Sequence, residues 1–235
     1  MIGETGGRRN YILLSAFLFL FFFAQAGAMS FLAIWLKGAI GLSGVQAGTV
    51  FSANFIAALI CQPIYGFVSD RVGLRRHVPL FIAGMVLFCG AFFSFVYAPL
   101  LRWNVIVGAG VGGLYLGLTF VSGSFALESF VDRVGRRYGF EYSRARLWGS
   151  LGFASAALFS GRLYNLDPRI NFWLSSAAGV LLIPLILATR MPQGADGAPA
   201  QILTPRQSLA VLGQPKFWGF MVLILGVTNL YLVYD

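Results

Sequence analysis

The sequence predicts an all-α membrane protein, a bundle of six crossing helices followed by the start of a seventh. Composition is the first reason. The 235 residues are 58% hydrophobic and 11% charged, with mean hydropathy +0.78, whereas a soluble domain is about 25% charged. Spacing is the second. Uncharged runs fill residues 11–36, 38–69, 78–101, 103–127, 147–161, 170–189 and 217–234. About 20 residues carry a helix across the hydrocarbon layer, and most of these runs approach or exceed that length.

The first run follows Arg8 and Arg9 and contains Ala24-Gln25-Ala26, which gives it the look of a cleaved leader. A leader's apolar core is about 7–15 residues, and this one continues to Leu36, so a retained helix is expected. The second run includes a turn before a helix at about residues 45–69. The fourth carries two overlapping G-x-x-x-G pairs, Gly108/Gly112 and Gly113/Gly117, and the fifth carries Gly149/Gly152 and Ser150/Ala154. Small residues at this spacing let helices approach closely in lipid. After the sixth run, Pro192, Pro199 and Pro205 mark a flexible linker. The expected division is a bundle at residues 1–190, a linker at 191–215, and at 216–235 the first helix of a second bundle. Because the chain stops at the charged Asp235 within or just past its seventh run, it reads as a fragment of a two-bundle protein.

The net charge of +9 does not point to nucleic acid. With the N-terminus on the cytoplasmic side, 13 of the 17 Lys and Arg fall on that side, and only Lys37, Arg102, Arg162 and Arg169 fall on the other. That asymmetry follows the positive-inside rule and predicts a multi-pass protein of the cytoplasmic membrane. Cys61 and Cys89 lie within spans, so neither a disulfide nor a metal site is expected, and His77 sits at a loop edge. With no ligand cluster, nucleophile–base pair or phosphate loop, no enzymatic chemistry is expected.

Two charges stand out. Glu128 closes the fourth run and Arg146 opens the fifth, which has only 15 uncharged residues. To span, the fifth helix must recruit residues before Leu147, which places Arg146 inside it. Opposite charges at comparable depth on consecutive spans predict a pair, and an intramembrane pair marks a functional site. A pair that only locks two helices together is the alternative.

Between the second and third runs stands Gly66-Phe-Val-Ser-Asp70-Arg71-Val-Gly73-Leu-Arg75-Arg76. Gly66 is expected to permit close helix approach and Gly73 a tight turn. Asp70 is expected to accept from the arginines or to cap a helix. This G-x-x-x-D-R-x-G-x-R-R spacing resembles the signature loop of the major facilitator superfamily, and the chain would be its N-terminal bundle. Within it, 33–38, 99–101, 111–117, Phe140-Glu-Tyr-Ser-Arg-Ala-Arg-Leu-Trp-Gly149 and 170–173 are similar to the oligosaccharide:proton symporters, the lactose and sucrose permease family.

That resemblance implies alternating-access transport of a disaccharide or oligosaccharide, with a proton as coupling ion and no resident cofactor. It implies that Glu128 and Arg146 hold sugar hydroxyls, with Phe22, Gln25, Ser150 and Phe153 lining the site. Phe153 stands where family members carry Trp or Tyr, so it offers an apolar face without a donor. The loop residues Gly66, Asp70, Arg71, Gly73, Arg75 and Arg76 would govern the conformational step, and Asp235 would join a charge pair between bundles. Sugar and lipid are the expected partners, and the full-length protein is expected to be monomeric. Other cargo, a nucleoside or an aromatic acid, fits the same fold. A non-transporting receptor or scaffold would need no charges facing a cavity.

Overall fold

The computed structural model describes residues 3–191 and 213–234, with helices and no strand among them. The first span is Gly3–Met29, continued past a break at Ser30 and Phe31 by Leu32–Gly38. The second is Gly44–Val72 and the fifth Tyr142–Leu166; the sixth is Ile170–Ala188. The third is broken: His77–Leu87 and Cys89–Trp103 meet at 45°. The fourth runs 34 residues without interruption, Val105–Tyr138, through a π-helical turn at Gly117–Val121. Residues Met1–Ala195 form one compact unit and Asp196–Asp235 a second, which holds a helix at Pro215–Tyr234, over the seventh run. The linker expected at 191–215 falls almost wholly outside the described residues, as does Asp235.

Among the described residues, four helices are long and apolar enough to cross a membrane, and the bent third span makes a fifth. The Tyr142–Leu166 helix has 25 residues, about 37 Å at 1.5 Å per residue, so it is long enough. Arg144, Arg146 and Arg162 keep it out of the apolar set.

Local chemistry sets the ends. Ser43 and Gln46 exchange side-chain and backbone hydrogen bonds in a capping box that opens the second span. Gly73 closes that span at φ 67°, a conformation that costs a residue without Cβ nothing. Asn104 opens the fourth by accepting from the N–H groups of Ile106 and Val107. At the C-terminal end of the sixth span, Arg9 donates to the Ala188 carbonyl at 3.1 Å and Arg76 to that of Thr189. Asn10 exchanges two hydrogen bonds of 2.9 Å with the Arg190 backbone. These donors satisfy carbonyls that a helix end leaves open.

A second π-helical segment, Phe92–Tyr97, lies in the third span; the π turn at Gly117–Val121 and the bend of the third span are satisfied by neighbouring helices. In the π turn the Leu118 carbonyl takes the Tyr65 hydroxyl at 2.8 Å, and the Phe120 carbonyl takes Gln25 Nε2 at 3.1 Å. At the bend of the third span, Gly90 N–H donates to Ser176 Oγ at 2.7 Å. Lipid offers no hydrogen bonds, so irregular backbone survives there only with such partners.

The glycines of the fourth span divide their work. A Cβ on Gly108 or Gly112 would strike Leu101 or Tyr97 of the third span. One on Gly113 would strike the Ala53 backbone of the second, and one on Gly117 would crowd Ala57 and Ala58. On the fifth span, Ala145, Gly149, Gly152, Ala156 and Ser160 are buried, and the two glycines lie against Phe22 and the Phe19 backbone of the first. The second expected pair is not part of this packing: Ser150 and Ala154 are exposed, because they fall on the flank of the stripe. Gly113→Leu should therefore cost about 1–3 kcal/mol through overpacking, whereas Gly110→Leu, which has open space around it, should not. Thermal unfolding in detergent checks this, and equal midpoints for the two variants would contradict the packing.

Candidate functional site

The ion pair expected from the sequence is formed. Arg146 Nε donates to Glu128 Oε1 at 2.5 Å, joining the fourth and fifth spans. The helix starting at Tyr142 puts Arg146 in its second turn, and the fourth span continues ten residues beyond Glu128 to Tyr138. From the helical rise, Glu128 lies about 10 Å and Arg146 about 12 Å from the middle of their helices. The two depths match, and neither charge sits at a helix end.

The rest of the cluster follows from helical spacing. Ser150, one turn beyond Arg146, accepts from Nη1 at 3.1 Å. Phe22 of the first span lies beneath the guanidinium, whose Cζ is 4.0 Å from the ring centroid. This cation–π contact is possible because Gly149 leaves room for the ring. Phe153 lies on the same face as Arg146 and Ser150, and is 42% exposed. Gln25 is nearby in sequence but differently employed: its Nε2 holds the Phe120 carbonyl, while its buried Oε1 has no partner.

Glu128 and Arg146 are 23% and 33% exposed, so one side of the pair stays accessible. The carboxylate has a second oxygen and the guanidinium a second terminal nitrogen. Together they offer acceptor and donor side by side, which suits a ligand whose hydroxyls both give and take protons.

Two side chains were not singled out by the sequence: Tyr142 in this cluster, and Trp148 at a separate cavity. Tyr142, half-buried one turn before Arg146, lies against both charges. Trp148 donates to the Tyr11 hydroxyl at 3.4 Å and helps line an apolar cavity of about 480 Å³ with Tyr11, Ser15 and Phe19. The i,i+4 spacing of Tyr142 to Arg146 was the available signal for the first. Nothing in the sequence marked the second.

The signature loop departs from expectation in two respects. Asp70 pairs with Arg133 of the fourth span, Oδ1 to Nη1 at 3.8 Å, and not with the arginines beside it. Nor does it cap a helix. It sits in the last turns of the second span, where its side chain points across to the fourth. Arg133 also reaches the Ser69 carbonyl at 3.5 Å. Gly66 is exposed and a Cβ there would touch nothing within 4 Å, so the close helix approach expected of it is not made among the described residues. Arg71 lies over Phe67, 4.3 Å from its centroid, and Arg76 reaches the sixth span. Between Gln62, Tyr65, Asp70, Phe125, Ser129 and Arg133 lies a cavity of about 170 Å³ with both polar and apolar walls.

A bundle of long apolar helices enclosing a paired carboxylate and guanidinium defines a multi-pass membrane protein of the major facilitator fold, seen in its N-terminal bundle. The model of the LacY proton/sugar symporter family matches residues 4–235, and the chain belongs to that family. It is 36% identical to the raffinose permease of Escherichia coli, over 99% of this chain and 56% of the relative. It is 37% identical to the melibiose permease of Enterobacter cloacae, over 96% and 55%. It is 34% identical to the sucrose permease of Escherichia coli, over 96% and 54%. The chain thus spans about half the length of the curated relatives it matches.

Proposed function

We propose that the protein is part of a proton-coupled sugar symporter, working by alternating access, with Glu128 and Arg146 as the groups that hold sugar hydroxyls. The observation that supports this best is the accessible Glu128–Arg146 pair, with Ser150 and Phe153 on the same helix face as Arg146. A sugar ring presents hydroxyls at its edge and C–H groups on its face. The carboxylate accepts, the guanidinium donates in a rigid fork, and Phe153 offers an apolar face. Phe22 holds the guanidinium plane from below. Gln25 reaches the site through its hold on the π turn that precedes Glu128.

The proton is the coupling ion and no other cofactor is required. Asp70 and its neighbouring arginines act on the conformational step, and Asp235 on contact between bundles. Residues 1–190 form the N-terminal bundle, 191–215 a linker and 216–235 the first helix of the second bundle. The distribution of Lys and Arg favours a cytoplasmic N-terminus in the inner membrane, and the transporting unit is a monomer. The three relatives are named for different sugars at similar identity, so the cargo is a disaccharide or oligosaccharide of a kind the pair alone does not choose.

Transport from the complete reading frame containing this chain tests the proposal. Vesicles should accumulate a radiolabelled disaccharide when an inward proton gradient is imposed, and should lose it when a protonophore is added. Accumulation of an aromatic acid or nucleoside in place of sugar would overturn the substrate class.

A further inference from the structure

We propose that a second pocket, at the opposite end of the bundle from the signature loop, holds the phosphodiester group of a membrane phospholipid. The pocket lies between the ends of the first, third and sixth spans and encloses about 330 Å³. Its floor is aromatic. Trp35 packs edge-on against Phe93 and Phe172, with centroids 5.4 and 5.3 Å away, and Phe93 stacks on Phe172 at 3.8 Å. All three rings are buried, so the floor is rigid.

The rim is charged. Arg102 and Arg169 line it from the third span and from the start of the sixth. Arg102 Nη2 is tied to the Ala39 carbonyl at 3.2 Å, and the Arg169 N–H donates to Asp167 Oδ1 at 2.7 Å. Both arginines are exposed and keep further guanidinium donors available. Asp167 also lines the pocket. Two guanidiniums and one carboxylate leave a single positive charge, which a phosphodiester's single negative charge neutralises. Ser94 also lines the pocket, and its buried hydroxyl has no partner in the protein.

The surroundings identify the source of the phosphate. Just beyond the rim, Phe95 and Trp173 are 71% and 47% exposed and meet edge-on at 6.5 Å. Trp103, beside Arg102, is 77% exposed. Aromatic rings and arginines at the end of a span are the pattern of the membrane interface. An acyl chain laid along Phe95 and Trp173 would bring its headgroup to Arg102 and Arg169. This site shares no residue with the Glu128–Arg146 cluster, so it stands apart from the sugar reading.

Native mass spectrometry of the detergent-purified chain tests the proposal, with phosphatidylglycerol, diacylglycerol of the same chains and inorganic phosphate as separate probes. Phosphatidylglycerol should bind at least about tenfold more tightly than diacylglycerol, since the difference is a set of charge-assisted hydrogen bonds. Arg102→Ala with Arg169→Ala should remove that preference, while Arg102→Lys with Arg169→Lys should retain most of it. The comparison of probes needs no substitution and stands even if the alanine variant does not fold. Equal binding of diacylglycerol, or wild-type preference in a folded alanine variant, would overturn the proposal. Inorganic phosphate that displaces the lipid at equal concentration would also overturn it, because the pocket would then hold free phosphate.

Discussion

Glutamine at either Glu128 or Arg146 should abolish detectable sugar binding while leaving a folded, inserted protein. Hydrogen bonds to charged groups contribute about 1.5–3 kcal/mol net, so each loss should cost at least tenfold in affinity. The variant carrying both changes separates contact from scaffolding. If the pair only held the fourth and fifth spans together, removing one charge would strand the other, and removing both would relieve that penalty. Binding would then return in the double variant. If the residues touch sugar, binding stays absent. The surroundings favour the second outcome, because Arg146 is already supported by Ser150 and Phe22 and does not depend on Glu128 for its position. Equilibrium binding of a labelled disaccharide, with a melting curve for each variant, decides between them.

The second large effect is expected at the Asp70–Arg133 contact. Asp70→Ala and Arg133→Ala should each slow turnover by up to about fivefold, the scale of a half-exposed ion pair at 3.8 Å. Sugar affinity should change by less than about twofold, because the contact joins the second and fourth spans away from Glu128. Exchanging the two residues, Asp70→Arg with Arg133→Asp, should recover part of the turnover. Loss of affinity with normal turnover at saturation would assign this contact to the substrate site.

The fold was legible because membrane helices announce themselves through apolar length. The Glu128–Arg146 pair was legible for a related reason: a charge at the edge of an apolar run is costly enough to demand a partner, and the two stand at comparable depth on consecutive spans. The partner of Asp70 was not legible. Three arginines adjoin Asp70 in sequence, but the second span carries its side chain towards the fourth, where Arg133 stands. Gly66 was misread because spacing alone does not say which face of a helix meets a neighbour. The same ambiguity made Ser150/Ala154 look equivalent to Gly149/Gly152, although only the glycines are buried. Gln25 was placed in the site, but its tie to the Phe120 carbonyl depends on a π turn that no residue pattern announced.

That π turn also sets a rule for reading other chains against this one. A π turn accommodates one more residue than an α-helical turn does, and one residue corresponds to about 100° of rotation. Everything in the fourth span after Val121 is therefore clocked by one position relative to Gly113 and Gly117, which seat the preceding half on the second span. A homologue whose fourth span is α-helical throughout would need one residue fewer between its packing glycines and its carboxylate to aim that carboxylate at the same guanidinium. Column-by-column transfer of Glu128 between two such sequences would point to the neighbouring residue, on a different face of the helix.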